Sequence, residues 1–282
     1  MGQGYSSIGR RGIRAMDKAA YPIPDESCRL PDGRLARAPI AKWHDVRLKT
    51  THGILIALDM DSLDQMRRVV EATTAIDGIV GYKVGLTAAL RLGLKGAVGH
   101  LRPVTPLPLI YDHQKAGPDV PDMAAKFAAT CREAGVDGLI LFPVAGPRAV
   151  AAFSGSAYAN RLVPIVGGDL PFPDYNASGG GYVIDDALDK IFRKAIEVGV
   201  DHFVIPGNTA EKIAHHARWL VEKIERPVLF VPGIGALGGS IADAFAAARG
   251  CDVHAVIGRA IYDAADPAEA ARRLAGQALE FA

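Results

Sequence analysis

Asp112, Lys115 and Asp119 stand in the stretch Asp112-His-Gln-Lys115-Ala-Gly-Pro-Asp119, directly after the apolar run Pro108–Tyr111. Two carboxylates beside one ammonium make each group's ionisation depend on the others, so the stretch is suited to holding or delivering a proton. An ordinary surface ion pair uses the same residue types. What decides between the two is what the fold brings alongside. Two more charged residues close apolar runs upstream: Asp59 follows Ile54–Leu58, and Lys83 ends Ile79–Lys83.

A second kind of chemistry is written in the last quarter of the chain. Val231-Pro232-Gly233-Ile-Gly235-Ala-Leu-Gly238-Gly239 and Gly258-Arg259-Ala-Ile-Tyr262 are rich in small residues. Such residues let backbone N–H groups approach an anion, and a following helix N-terminus adds a favourable dipole. Arg259 can add a bidentate, charge-assisted contact to phosphate. The alternative is that these glycines only make tight turns and that Arg259 pairs with Asp263 or Asp266.

The elements that must position these groups are legible as an alternation. From residue 53 onward, short apolar runs are each followed by a segment with helical spacing. The runs are Ile54–Leu58, Ile79–Lys83, Leu107–Tyr111, Asp137–Phe142, Leu162–Val166, Asp201–Ile205, Val228–Val231 and Val253–Ile257. The helical segments are Ser62–Ala75, Gly85–Val98, Val120–Ala134, Gly146–Tyr158, Val183–Val198, Thr209–Ile224, Gly238–Arg249 and Pro267–Phe281. Near-continuous apolar strands are expected when both faces are covered, and alternating βα units imply a parallel sheet. Eight units in this length predict a closed (β/α)₈ barrel over residues 51–282. An open doubly wound sheet is the runner-up, weakened because no GxGxxG follows the first strand. In such a barrel the strand ends meet at one mouth, so Asp59, Lys83, Asp112, Lys115 and Asp119 should converge there, and the loops after strands seven and eight are the usual phosphate site. Residues 167–181, rich in Gly and Pro, form a connection longer than most and belong to the same face. Residues 1–50, with Trp43, lack strong periodicity and read as an extension packed on the barrel or partly irregular.

Composition excludes several classes. The chain of 282 residues is 49% hydrophobic and 22% charged, with a net charge of +1. That balance disfavours general nucleic-acid or membrane-surface binding, which needs a concentrated basic face. No apolar run is long enough for a membrane helix, and Met1–Lys18 has no apolar signal core. Cys28, Cys131 and Cys251 lack metal-ligand or framework spacing, so a reducing, cytoplasmic setting is expected.

Ala57-Leu-Asp59, Lys83-Val-Gly85, Asp112…Lys115…Asp119-Val-Pro121, Pro232-Gly233-Ile-Gly235 with Gly238-Gly239, and Gly258-Arg259-Ala-Ile-Tyr262 together resemble the orotidine 5′-phosphate decarboxylase family, in the family's order. The resemblance implies a homodimeric barrel that needs no metal and no organic cofactor. It implies conversion of orotidine 5′-phosphate (OMP) to UMP and CO₂, the last step of de novo pyrimidine synthesis. By position it makes Asp59 a ribose contact and Lys83 a member of the charged network. The same resemblance puts Asp112 beside the scissile carboxylate, makes Lys115 the proton donor to C6, and has Asp119 reach across the dimer interface. Arg259 holds the phosphate among Pro232, Gly233, Gly235, Gly238, Gly239 and Gly258. Ser178 is the candidate base contact in the long loop.

The chain departs from the family pattern in places. Asp112 to Lys115 is one residue longer than the usual spacing, as is Lys115 to Asp119. Met123 and Leu237 replace a usual Thr and Gln. Two other readings therefore accompany the first: a paralogue acting on another phosphorylated small molecule, such as a sugar-phosphate decarboxylase or aldolase, and a non-catalytic phosphate-ligand binder. The metal-dependent relatives typically carry Glu on the second strand, where this chain has Lys83.

Overall fold

In a computed structural model of the chain, residues 32–34, 51–114, 120–235 and 239–282 are described. The expected N-terminal extension, with Trp43, lies outside them apart from residues 32–34. Eight parallel strands close into a barrel in chain order, with the last paired back to the first. They are β1 (His52–Leu58), β2 (Ile79–Val84), β3 (Leu109–Asp112), β4 (Gly138–Leu141), β5 (Val163–Val166), β6 (His202–Val204), β7 (Val228–Pro232) and β8 (Asp252–Ile257). Each lies within a residue or two of its sequence-predicted run. The (β/α)₈ barrel is therefore borne out, and the open sheet is excluded by the β1–β8 pairing.

Alternation along the strands builds two cores. Leu55, Ala57, Ile110, Ile140, Ile165, Val204, Phe230 and Val256 fill the barrel interior. Their neighbours Ile54, Ile56, Leu58, Tyr82, Leu109 and Tyr111 belong to the larger core between strands and helices. The helices are α1 (Leu63–Thr73), α2 (Leu86–Leu92), α3 (Leu94–Leu101), α4 (Ala124–Ala134), α5 (Pro147–Ala159), α6 (Ala187–Glu197), α7 (Ala210–Val221), α8 (Ile241–Ala247), α9 (Arg259–Tyr262) and α10 (Pro267–Leu279). In α1 the Ser62 side chain caps the Gln65 N–H, while Met66, Val69, Val70 and Thr73 form the buried stripe. Each fully buried aliphatic side chain of this kind contributes roughly 1.5–3 kcal/mol.

Two differences from the predicted elements have local causes. The single helix expected over Gly85–Val98 is two, because Gly93 takes φ +71°, which ends α2 and redirects the chain into α3. The Gly258–Tyr262 stretch, expected as a loop, contains the four-residue helix α9. The long connection after β5 is tied to itself. The Tyr175 hydroxyl donates to Gly168 O at 2.9 Å, and the Ala177 N–H donates to Val183 O at 2.7 Å. Cys131 and Cys251 are buried, and burial pushes both thiols up to about 12, so they act as small core residues.

Candidate active site

The charged cluster follows from strand register. Ala57 pairs with Lys83, and Lys83 pairs with Ile110. Asp59 lies two residues beyond Ala57, and Asp112 two beyond Ile110, so both carboxylates point the same way as Lys83 and flank it one layer nearer the mouth. Lys83 Nζ is 2.8 Å from Asp59 Oδ1 and 3.1 Å from Asp112 Oδ2. Gln114 adds a further donor, its Nε2 lying 3.1 Å from Asp112 Oδ2 and its backbone N–H 3.3 Å from Oδ1.

Lys83 is 4% exposed. Burial alone would pull its pKa down, but the charges of Asp112 and then Asp59 outweigh that and hold it above the usual lysine value. Lys83 is therefore a fixed ammonium. Gly85 makes room for the arrangement, since a Cβ there would overlap Asp59 Oδ1.

The cluster opens on a cavity of about 200 Å³. Asp59, Lys83, Asp112 and Gln114 line it on one side, Ile140 and Val204 its floor, and Pro232–Ile234 with Gly258–Ala260 and Tyr262 another wall. Charged network and small-residue loops thus share one space, at the mouth formed by the strand C-termini. Arg259 pairs with neither Asp263 nor Asp266. Asp266 instead caps α10, accepting from the N–H groups of Ala268 (2.9 Å) and Glu269 (3.0 Å). The β6 and β7 ends are locked by Gly207, whose N–H donates to Pro232 O at 2.7 Å. Any side chain at Gly207 would strike Val231 Cγ1 at 2.6 Å.

Of the residues predicted from sequence, Asp59, Lys83, Asp112, Pro232, Gly233, Gly258 and Arg259 line the cavity. Gly235 and Gly239 do not line it, but form the turn behind that wall, with the Gly235 N–H donating to Gly239 O at 2.8 Å. Lys115, Asp119, Gly238 and Leu237 lie outside the described residues. Ser178 is not brought to the cavity: it is exposed, and its hydroxyl donates to Asp185 Oδ1 at 2.6 Å. Sequence alone left open whether His113 or Gln114 faces the site, and Gln114 is the one that lines the cavity. His113 turns the other way, onto the Tyr111 hydroxyl at 3.1 Å and the Phe127 ring at 4.4 Å. Its place one residue after the inward Asp112 is the signal that separates them, since neighbours in extended chain face opposite ways. Gly85 and Tyr262 were also missed as members of the site. Gly85 is two residues beyond inward-facing Lys83, which could have marked it.

Comparison with known proteins matches this architecture. Residues 53–274 match the family described as "Orotidine 5′-phosphate decarboxylase / HUMPS family". The chain belongs to that family. Among similar relatives, the orotidine 5′-phosphate decarboxylase of Thermococcus kodakarensis is 29% identical over 228 residues, covering 80% of this chain and 97% of the relative. That of Pyrococcus furiosus is also 29% identical over 228 residues, covering 80% of this chain and 99% of its own. Among solved structures, orotidine 5′-phosphate decarboxylase from Pyrococcus horikoshii superposes with a TM-score of 0.66 at 26% identity, over 80% of this chain and 99% of that one. The Methanocaldococcus jannaschii orotidine 5′-monophosphate decarboxylase, complexed with the inhibitor BMP, gives a TM-score of 0.69 at 23% identity over 80% and 98%. The last similarity speaks to the fold. The family resemblance read from the motifs is therefore borne out. Among the described residues, no helix is long and apolar enough to cross a membrane.

Proposed function

We propose that this protein is an orotidine 5′-phosphate decarboxylase, a carbon–carbon lyase that converts OMP to UMP and CO₂. The observation that carries the proposal is the Asp59–Lys83–Asp112 array, with Lys83 and Asp112 buried, which shares one cavity with Gly258-Arg259 in a chain of this family. In the reaction, the bond from C6 to the carboxylate carbon breaks, CO₂ leaves, and the electron pair stays on C6. The ammonium of Lys115 delivers a proton to that carbon and is recharged from solvent. An ammonium placed in advance in a water-excluded site stabilises a carbanion as it forms, because no dipoles need to reorganise at the moment of reaction.

The other groups have complementary parts. Lys83 holds Asp112 in its buried position, and Asp112 stands beside the scissile carboxylate, so that the repulsion between the two carboxylates is relieved as CO₂ departs. Asp59, the more exposed carboxylate with 38% of its side chain accessible, is free to meet a ribose hydroxyl. Arg259, with Pro232–Gly233 and Gly258, takes the phosphate, and that remote binding energy is used at C6. The protein acts as a cytoplasmic homodimer, with Asp119 reaching into the partner's site. A divalent ion between Asp59 and Asp112 is disfavoured, because the Lys83 ammonium fills that position. This argues against the metal-dependent sugar-phosphate reading.

The test is a direct assay of purified full-length protein, following loss of OMP absorbance, beside Lys115→Ala. Turnover by the wild type and its loss in the variant are expected. No turnover together with tight UMP binding would favour the non-catalytic reading.

A further inference from the structure

Several buried polar side-chain atoms have no hydrogen-bond partner among the described residues, and one of them lies beside two other groups that can bind a metal. His216 on α7 is 4% exposed, and its Nδ1 has no hydrogen-bond partner. The atom faces Asp189 in the first turn of α6, with Nδ1 3.4 Å from Oδ1. His215 Nε2 lies 3.9 Å from the same oxygen, and the three ligand atoms all fall within 4.8 Å of one another. We propose that Asp189, His215 and His216 form a binding site for a divalent transition-metal ion of the Zn²⁺ type, clipping α6 to α7 on the outside of the barrel.

The geometry fits such an ion closely. Tetrahedral ligands at about 2.0–2.2 Å from a metal stand about 3.3 Å from one another. The His216–Asp189 separation of 3.4 Å is near that value, and the exposed His215 ring is able to rotate to shorten its 3.9 Å separation from Asp189. Two imidazoles and one carboxylate suit Zn²⁺, Co²⁺, Ni²⁺ or Cu²⁺ rather than Mg²⁺ or Ca²⁺. A metal ion binds histidine as the neutral imidazole, the form that the buried position of His216 favours. Its ring is fixed by an edge contact to Phe192, centroids 5.5 Å apart. Lys212, one turn earlier on α7, is engaged by Asp169. None of the three ligands lines the cavity, so this site is independent of the proposed decarboxylation.

The experiment uses full-length protein freed of metal by a chelator and titrated with Co²⁺, then Zn²⁺. Expected are visible d–d bands from a saturable one-to-one Co²⁺ complex, displaced by Zn²⁺, with a thermal midpoint that rises on Zn²⁺ addition. Asp189→Asn and His215→Ala change partly exposed positions, so both variants should fold. Each should lower affinity by about tenfold or more and lose the thermal shift. OMP turnover, assayed separately, should be unchanged in both. Absence of Co²⁺ bands, or binding of equal affinity in the variants, would overturn the site.

Discussion

Lys83 Nζ and Asp112 Oδ2 lie 3.1 Å apart with side chains only 5% and 1% exposed, while Asp59, the other partner of the same ammonium, remains open to the cavity. One half of the array is therefore an internal anchor and the other half faces the ligand. The two halves should separate on mutation. Lys83→Met takes the buried ammonium away from Asp112 and should destabilise the fold by about 3–5 kcal/mol, and adding Asp112→Leu should restore much of that. Asp59→Asn should cost less than about 1 kcal/mol, because this carboxylate is partly solvated. Denaturant unfolding of the four proteins checks the pattern. Equal losses for Lys83→Met and Asp59→Asn would contradict it.

Gly85→Ala tests positioning without removing any charge. The added methyl overlaps Asp59 Oδ1 and must swing that carboxylate away from Lys83. Displacements of about 1 Å at a reacting site can cost on the order of a hundredfold in rate. A fall in kcat/KM for OMP of at least about tenfold, with a folded protein by circular dichroism, is expected. Wild-type kinetics would mean that Asp59 has no positional role.

Arg259→Ala removes a guanidinium held by no ion pair among the described residues. It should raise KM for OMP much more than it lowers kcat, because the lost contact lies on the phosphate, remote from C6. The same substitution should hardly affect turnover of orotidine, which lacks the phosphate. An unchanged KM for OMP would remove the phosphate assignment.

Stability should fall on the acid side because of His254. Its ring packs inside the barrel, 5.4 Å from Phe230. Burial, with smaller contributions from His202 and His52, holds its pKa down at about 3 against an ordinary 6.5. The native state thus keeps the imidazole neutral while the unfolded chain takes up a proton below pH 6.5. The contribution is fully present above 6.5 and is lost progressively as pH falls towards about 3. The slope is about 1.4 kcal/mol per pH unit for one proton. Unfolding free energies of wild type and His254→Leu at pH 7, 6 and 5 check this. The variant should show a shallower decline, and parallel curves would contradict the assignment.

The barrel was legible because each strand is a short, doubly covered apolar run bounded by polar residues, and the meeting of Asp59, Lys83 and Asp112 followed from their places at strand ends. Long-range and torsional facts were not legible. Nothing local marks that Gly93 takes positive φ and splits a helix rather than being tolerated within one. Ser178 carries a hydroxyl suited to a base contact, yet Asp185, seven residues on, claims it. Asp189 and the His215–His216 pair sit on separate helices, and only packing of α6 on α7 brings them together.

The most direct measurement is turnover of OMP by full-length protein in D₂O, followed by proton NMR of the product. The account predicts UMP carrying deuterium at C6, with one CO₂ released per UMP, and loss of product in Lys115→Ala. Failure to form UMP from OMP, or UMP formed at an undiminished rate by Lys115→Ala, would contradict it.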